Sequence, residues 1–417
     1  MSVTDRPAER TGTSKRGTAA AAAAGRGRAG RVLVDLVKPL AVYGVVKAAG
    51  LAVFLWLLHY SREYRNKPIG SGGGRRPWDV LGTWDGWWYQ DIASRGYHPQ
   101  VLSAHAQLSE VRPNSAAFFP LYPGLMRGVS EITGLGVYGA GILISVVASF
   151  VAAAGIFMVV RLMGGTRAGV VATGLWGLAP GSGAEWAVYS DSLFVALASW
   201  ACWAVMTRRW LTAGTLAFVA GFNRPTSAAI IAAVGLSALI ALFRRKDGVL
   251  RPLTAMLIAP WGFLGYLAWV GWAMGRPTGY FMIQRSWNHY FDAGNFMIHA
   301  IPEIMIGRFH YLWPWPLADM FSLAVLMLVP ALLFLLLRRR PPLVLIVFTL
   351  LTIASTVTSQ QIFSNVPRYL LPAFPLWIPV ALALQRLKWT SLAPVLLFFG
   401  AASGWYAGYL MFQLGTP

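Results

Sequence analysis

Charge is scarce in this chain of 417 residues. Asp, Glu, Lys and Arg make up 12% of it, against 56% hydrophobic residues. A soluble domain carries about twice that charged fraction, so a water-soluble globule is excluded. Acid is scarcer than base: 15 Asp+Glu stand against 35 Lys+Arg, a formal charge of +20. On a soluble protein that excess points to nucleic acid. Here the basic residues gather in an N-terminal tail and at the ends of apolar runs, where chain orientation and anionic headgroups account for them. Membrane lipids are therefore expected partners and nucleic acid is not. Cysteine is all but missing. Cys202 stands alone inside an apolar run, which excludes an internal disulfide and any multi-cysteine metal site.

What remains is apolar and arranged in long runs with short charged punctuation. Runs of about 18 or more apolar residues fit bilayer-spanning helices. The fold class expected is all-α, a polytopic membrane helix bundle. Residues 1–36 are rich in Ala, Gly, Arg, Thr and Ser and are expected to form a disordered basic tail. The Ala19–Ala24 run is too short and too weakly hydrophobic for a signal-peptide core, so the apolar segment 38–59 is a retained first helix. Further spans fall near 139–160, 168–182, 187–206, 210–223, 226–243, 253–274, 319–337, 342–358, 371–385 and 390–412, making about 11 within a single membrane domain, 37–412.

Charge tests this count. With the tail in the cytoplasm, the alternate connections carry Arg161 and Arg167, Arg208 and Arg209, Arg244–Lys246, Arg338–Arg340, and Arg386 with Lys388. Every inner turn is then basic, as the positive-inside rule requires. The same scheme places the loops 60–138, 275–318 and 359–370 outside a cell membrane, on the extracytoplasmic face.

The first of these loops is the longest and carries the densest chemistry. It opens on Gly70–Gly74 and continues into Trp78-Asp79 and then Trp84-Asp85-Gly86-Trp87-Trp88-Tyr89-Gln90-Asp91. The tandem Trp-Asp pairs lack the period of about 40 residues and the strand pattern of a propeller. As a short helix over 83–94, the segment puts Asp85, Trp88, Tyr89 and Ile92 on one face, with Trp84, Trp87, Trp88 and Asp91 as a neighbouring stripe. Asp85 and Asp91 then point apart, so a close carboxylate pair is not expected. An interfacial aromatic belt accounts for most of this segment; Asp85, bracketed by tryptophans, is what it accounts for least. Further on, Asn114–Pro123 holds two prolines and three aromatics and marks a rigid apolar turn.

Other polar residues fall near the same face. Tyr189-Ser190-Asp191-Ser192 puts an acid at the start of a helix, where the helix dipole favours it. Asn223-Arg224-Pro225 puts a charge at a proline break between apolar runs, a functional candidate by position. Val366-Pro367-Arg368-Tyr369 puts another at the mouth of a late helix. Arg285, His289 and His310 lie in the second large loop; lone histidines of this kind are more often structural than catalytic. Arg224 and Arg368 break the inner bias of the basic residues, and two outer arginines beside an acid suit an anionic, phosphate-bearing ligand.

Trp84-Asp85-Gly86-Trp87-Trp88-Tyr89, Ile92-Ala93 and Gly96-Tyr97, followed by Phe118-Phe119-Pro120-Leu121-Tyr122-Pro123, resemble the PIG-V family, the second mannosyltransferase of GPI-anchor assembly and its bacterial relatives. Tyr189-Ser190-Asp191-Ser192-Leu193-Phe194 resembles that family's Tyr-Ser-Glu-Ser-Leu-Phe stretch, with Asp for Glu. Asn223-Arg224-Pro225, and Arg368-Tyr369-Leu370 with Pro372, resemble its arginine-containing break and its late arginine motif. The likeness runs in order over 37–412. It implies a GT-C glycosyltransferase: an acid of the first outer loop, here Asp85, acting as base, a polyprenyl (dolichol-type) phosphate mannose as donor, and inversion to an α-mannoside. Abundant Ala, Gly and Arg point to a GC-rich bacterium, where the acceptor is a lipid, glycan or protein rather than a GPI precursor.

The residue inventory agrees with that chemistry. A polyprenyl phosphate leaves as a stable anion, so one base for the acceptor hydroxyl and cations for the phosphate are a sufficient set. The candidates are Asp85 as catalytic base, with Trp84, Trp88, Tyr89, Asp91, Asp191, Arg224 and Arg368 binding substrate. No cofactor is expected. The loops hold no His/Cys cluster with ligand spacing, and scattered Asp residues leave room only for a weakly bound divalent ion. Two other readings stand beside this one: the same mechanism with another polyprenyl-phosphate sugar, or a lipid or solute transporter. A transporter favours internal repeats and broken helices at mid-membrane; no clear repeat is visible, and the polar residues gather at one face.

Overall fold

A computed structural model describes residues 14–103, 105–245, 247–308 and 316–415; residues 1–13 of the expected tail and His310 lie outside the described residues. The chain is helical nearly throughout. The first helix, α1, is Ser14–Ser61, of which Val34–Ser61 is apolar enough to span. The first loop follows, with α2 (Asp85–Arg95) and α3 (Leu121–Thr133). Next come α4 (Val137–Gly177), α5 (Asp191–Met206), α6 (Trp210–Ala220), α7 (Ser227–Arg244), and α8 (Leu250–Ile258) running into α9 (Trp261–Ala273). The second loop holds α10 (Gly279–Ser286) and α11 (Asn295–Met305). The chain closes with α12 (Pro316–Arg338), α13 (Leu343–Val357), α14 (Val366–Tyr369), α15 (Ile378–Leu384) and α16 (Trp389–Ser403), the last continuing as a π-helical run to Leu414. The two named strands, β1 (Tyr290–Phe291) and β2 (Ser359–Gln360), pair antiparallel and join the second loop to the end of α13.

Among the described residues, six helices are able by length and composition to cross a membrane, and seven if the bent pair Phe363–Tyr369 with Phe374–Leu384 is one span. Helices α5, α6 and α13 are apolar but shorter. At 1.5 Å per residue they fall below the roughly 30 Å hydrocarbon core. Helix α4 is the opposite case, with 41 residues. Gly165, at φ 83°, interrupts it between Arg161 and Arg167. A left-handed backbone there is tolerable because the residue has no Cβ.

The helices pack through small residues, as lipid-embedded bundles do. Gly404 lies directly on the Gly50 carbonyl, where any Cβ would collide, so the end of the chain seats on α1. Within the core, Tyr43 stacks on Trp176 at 5.5 Å. A buried charge pair, Lys47 Nζ to Glu185 Oε2 at 3.0 Å, ties α1 to the loop before α5, and Tyr43 donates to the same carboxylate at 2.6 Å. That loop leads directly into Asp191, the first residue of α5, so its bracing bears on the position of the candidate site.

Candidate active site

Four charged residues from four separate stretches of sequence meet at one end of the bundle. Asp85 is the first residue of α2 and Asp191 the first of α5. Each carboxylate therefore sits where the helix dipole favours an anion. Arg368, on α14, joins them: its Nη2 donates to Asp85 Oδ2 at 2.6 Å and to Asp191 Oδ2 at 3.0 Å, and its Nε reaches Asp191 Oδ1 at 3.4 Å. Arg224, from the break between α6 and α7, pairs with Asp191 from the other side. The order is Asp85, Arg368, Asp191, Arg224, and the formal charges cancel. A buried charge is tolerated when paired in this way.

Burial divides the four. The Arg368 and Asp191 side chains are 3% and 1% exposed, while Asp85 is 33% exposed and Arg224 12%. The inner two are nearly closed off, and the outer two are the more accessible. The inner pair is fixed from all sides. The Arg368 guanidinium lies 4.3 Å over the Tyr189 ring, a favourable cation–π contact. Tyr89 and Ser190 share a hydroxyl hydrogen bond of 2.8 Å, and Asn223 Nδ2 donates to Ser190 O at 3.0 Å. Tyr89 is thus both a wall of the site and a tie to the Asp191 turn.

Asp85 is placed by an unusual turn. Gly86 N–H donates to Thr83 O at 3.0 Å, and Trp84 between them has φ 58° and ψ −121°. These are the angles of the first central position of a type II′ turn, where glycine is the usual residue. A tryptophan there is strained, and such strain clusters at functional sites. The Trp84 N–H donates to Gly70 O at 2.7 Å, so the glycine-rich loop holds the turn. Gly70 itself has φ 94° and lies against the Trp87 ring.

Two cavities meet at this cluster. One, of about 720 Å³, is lined by Trp84, Asp85, Trp88, Tyr89, Arg224 and Arg368 among others. Its aromatic wall joins the two sequence segments singled out above: Trp88 stacks on Phe118 at 5.8 Å and 15°, and Trp287 meets Trp88 edge-on at 5.4 Å. The other cavity, of about 760 Å³, is more apolar and runs between α7, α10 and α13, with Arg224 and Arg285 in its wall. Arg224, Pro225, Gln284, His289 and Tyr369 line both. The His289 and Tyr369 rings meet edge-on at 5.5 Å in that shared wall. Burial pushes the His289 imidazole down to about 4, so it is neutral at physiological pH.

Of the expected residues, Asp85, Trp84, Trp88, Tyr89, Arg224 and Arg368 line the smaller cavity, and Asp191 lies buried behind them. Asp91 is not brought to either cavity; it pairs with Arg95 one turn along α2. Trp287, His289, Asn365 and Tyr369 were not among the expected binding residues, although all line the smaller cavity. No spacing links residue 289 to residue 369, and only the fold does so. Among the described residues, no three His, Cys, Asp or Glu side chains group as a metal-ligand set.

No protein-family model and no curated protein matches the chain. Among solved structures it is similar to ArnT from Cupriavidus metallidurans bound to undecaprenyl phosphate, at 16% identity and TM-score 0.49, over 88% of this chain and 64% of that one. It is also similar to the Archaeoglobus fulgidus oligosaccharyltransferase in complex with Zn and sulfate, at 12% identity and TM-score 0.43, over 89% of this chain and 53% of that one. The chain thus spans less than two thirds of the length of either.

Proposed function

We infer that the protein is an inverting membrane glycosyltransferase of the GT-C kind, moving a sugar from a polyprenyl phosphate to an acceptor hydroxyl. The observation that carries this reading is the placement of one accessible carboxylate, Asp85, in a cavity that shares Arg224 with a second, apolar one. Two cavities that share a cation, one of them holding a base, suit a two-substrate transfer. A polyprenyl phosphate fits the apolar cavity, with its phosphate at Arg224 and its sugar reaching past it to Asp85.

The chemistry then follows from the residues. Asp85 accepts the proton of the acceptor hydroxyl as that oxygen attacks the anomeric carbon from the face opposite the phosphate. The carbon–oxygen bond to the phosphate breaks, its electron pair leaves with the phosphate, and the configuration inverts. Arg224 stabilises the developing charge. Arg368, with its side chain 3% exposed, orients Asp85 against Asp191. The sugar is mannose, by the motif resemblance, and the acceptor is a lipid, glycan or protein.

The shorter helices also cross in this reading. Counting α4 as two helices about Gly165, α8 with α9 as one and α14 with α15 as one gives about eleven crossings. The site end lies outside, on the face opposite the cytoplasmic N-terminus.

The test is transfer from radiolabelled polyprenyl phosphate mannose in membranes, wild type beside Asp85→Asn. General-base catalysis contributes about 10²–10⁴-fold, and a loss of that order is expected at unchanged protein level. Asp91→Asn is the control. Near-normal transfer by Asp85→Asn, with Asp91→Asn inactive, would show that the wrong acid was chosen.

A further inference from the structure

Three residues lining the smaller cavity carry buried polar atoms that find no partner among the described residues: Asn223 Oδ1, Asn365 Oδ1 and Trp287 Nε1. Asn223 is 0% and Asn365 3% exposed. Such atoms cost free energy if left unsatisfied, and two are acceptors while the third is a donor. The orientation of Asn223 is chemically fixed, because its amide nitrogen donates to the Ser190 carbonyl, which only accepts. Beside them stand the stacked Trp88 and Phe118 rings, whose negative faces suit the C–H edge of a saturated ring.

An apolar lipid chain satisfies none of these atoms, and a phosphate satisfies only the donor. A ring bearing several hydroxyls satisfies all three, since each hydroxyl both donates and accepts. We propose that Trp287, Asn365 and Asn223 form the seat of the transferred sugar, holding its hydroxyls while Trp88 and Phe118 hold its apolar face. The seat rests on the glycosyl-transfer reading and adds the residues that recognise the sugar itself, as distinct from its phosphate. It places the ring beside Asp85, in the cavity where the acceptor oxygen must arrive.

The experiment is equilibrium binding to the full chain in detergent, with polyprenyl phosphate mannose and bare polyprenyl phosphate as the two probes. The quantity of interest is the ratio of their dissociation constants. In Trp287→Phe, which keeps an aromatic ring and removes the N–H, and in Asn365→Ala, the mannosyl lipid is expected to bind about tenfold more weakly. Binding of bare polyprenyl phosphate is expected to hold. Should Asn365→Ala fail to fold, Trp287→Phe decides alone. A ratio equal to that of wild type in the folded variants overturns the seat. Wild type that transfers mannose while the variants keep its ratio defeats the seat and leaves the transferase reading intact. Variants that lose the ratio, in a protein that transfers nothing, leave the seat standing and defeat the transferase reading.

Discussion

Arg224 and Arg368 look alike in the sequence, each a cation beside a proline near one face of the bundle. Their surroundings separate them. Arg368 bonds to oxygens of two acids in different directions, a geometry that the planar guanidinium fork allows and a single ammonium does not. In Arg368→Lys, kcat is expected to fall at least about tenfold with donor KM little changed, because Asp85 is released while phosphate contact persists. In Arg224→Lys the donor KM is expected to rise several-fold instead. Steady-state kinetics with the mannosyl lipid would show a reversed pattern if the two roles were exchanged. Both arginines were legible as candidates because they interrupt apolar runs. The difference in their pairing was not, since Arg368 reaches partners 177 and 283 residues away.

His289 offers a test by pH. Its folded-state value of about 4 lies below the ordinary imidazole value of about 6.5, so the unfolded chain takes up the proton first. The neutral ring therefore contributes stability that is fully present above about pH 6.5 and is lost as pH falls toward 4. The thermal midpoint of wild type is expected to drop across that window. His289→Asn is expected to drop less. Parallel curves for the two proteins would show that this imidazole titrates as freely in the fold as outside it.

At the scale of elements, the turn before α2 is what helical periodicity could not reveal. The spacing placed a helix over 83–94, and the observed one runs Asp85–Arg95. The faces were therefore nearly right, and Asp91 does point away from Asp85. The type II′ turn was hidden because its sequence signal is glycine, and tryptophan stands in that position. Comparing Trp84→Gly with Trp84→Ala isolates the strain, since both lose the indole. The glycine variant is expected to be more stable by about 1 kcal/mol or more, as read by denaturant unfolding. Both are expected to lose activity, because Trp84 walls the cavity. An alanine variant as stable as the glycine one would mean that the backbone relaxes away from this conformation.

At the scale of the whole molecule, several helices end on or beside arginines. Helix α5 begins at Asp191 and is followed by Arg208 and Arg209; α7 begins after Arg224 and ends at Arg244; α12 ends at Arg338. The basic end is itself joined up. Arg161 pairs with Asp35 at 2.8 Å, and Lys38 and Arg167 both lie over the Trp389 ring. The charge alternation was legible in the sequence because it needs only the order of residues. Helix lengths were less so: adjacent apolar runs merge, as at Gly165, or break, as at the 77° bend after Tyr369. If bilayer charge asymmetry orients this bundle, the basic end is cytoplasmic and the loop bearing Asp85 is outside. Single cysteines at Ser14 and Ser103, in a Cys202→Ala background, distinguish the two faces. Cys202 is buried, so its removal leaves one reactive thiol in each protein. With an impermeant thiol reagent on intact cells, position 103 is expected to label and position 14 only after permeabilisation. Labelling of position 14 but not 103 in intact cells would turn the molecule over. It would also place Asp85 on the cytoplasmic side, where an extracytoplasmic transfer cannot occur.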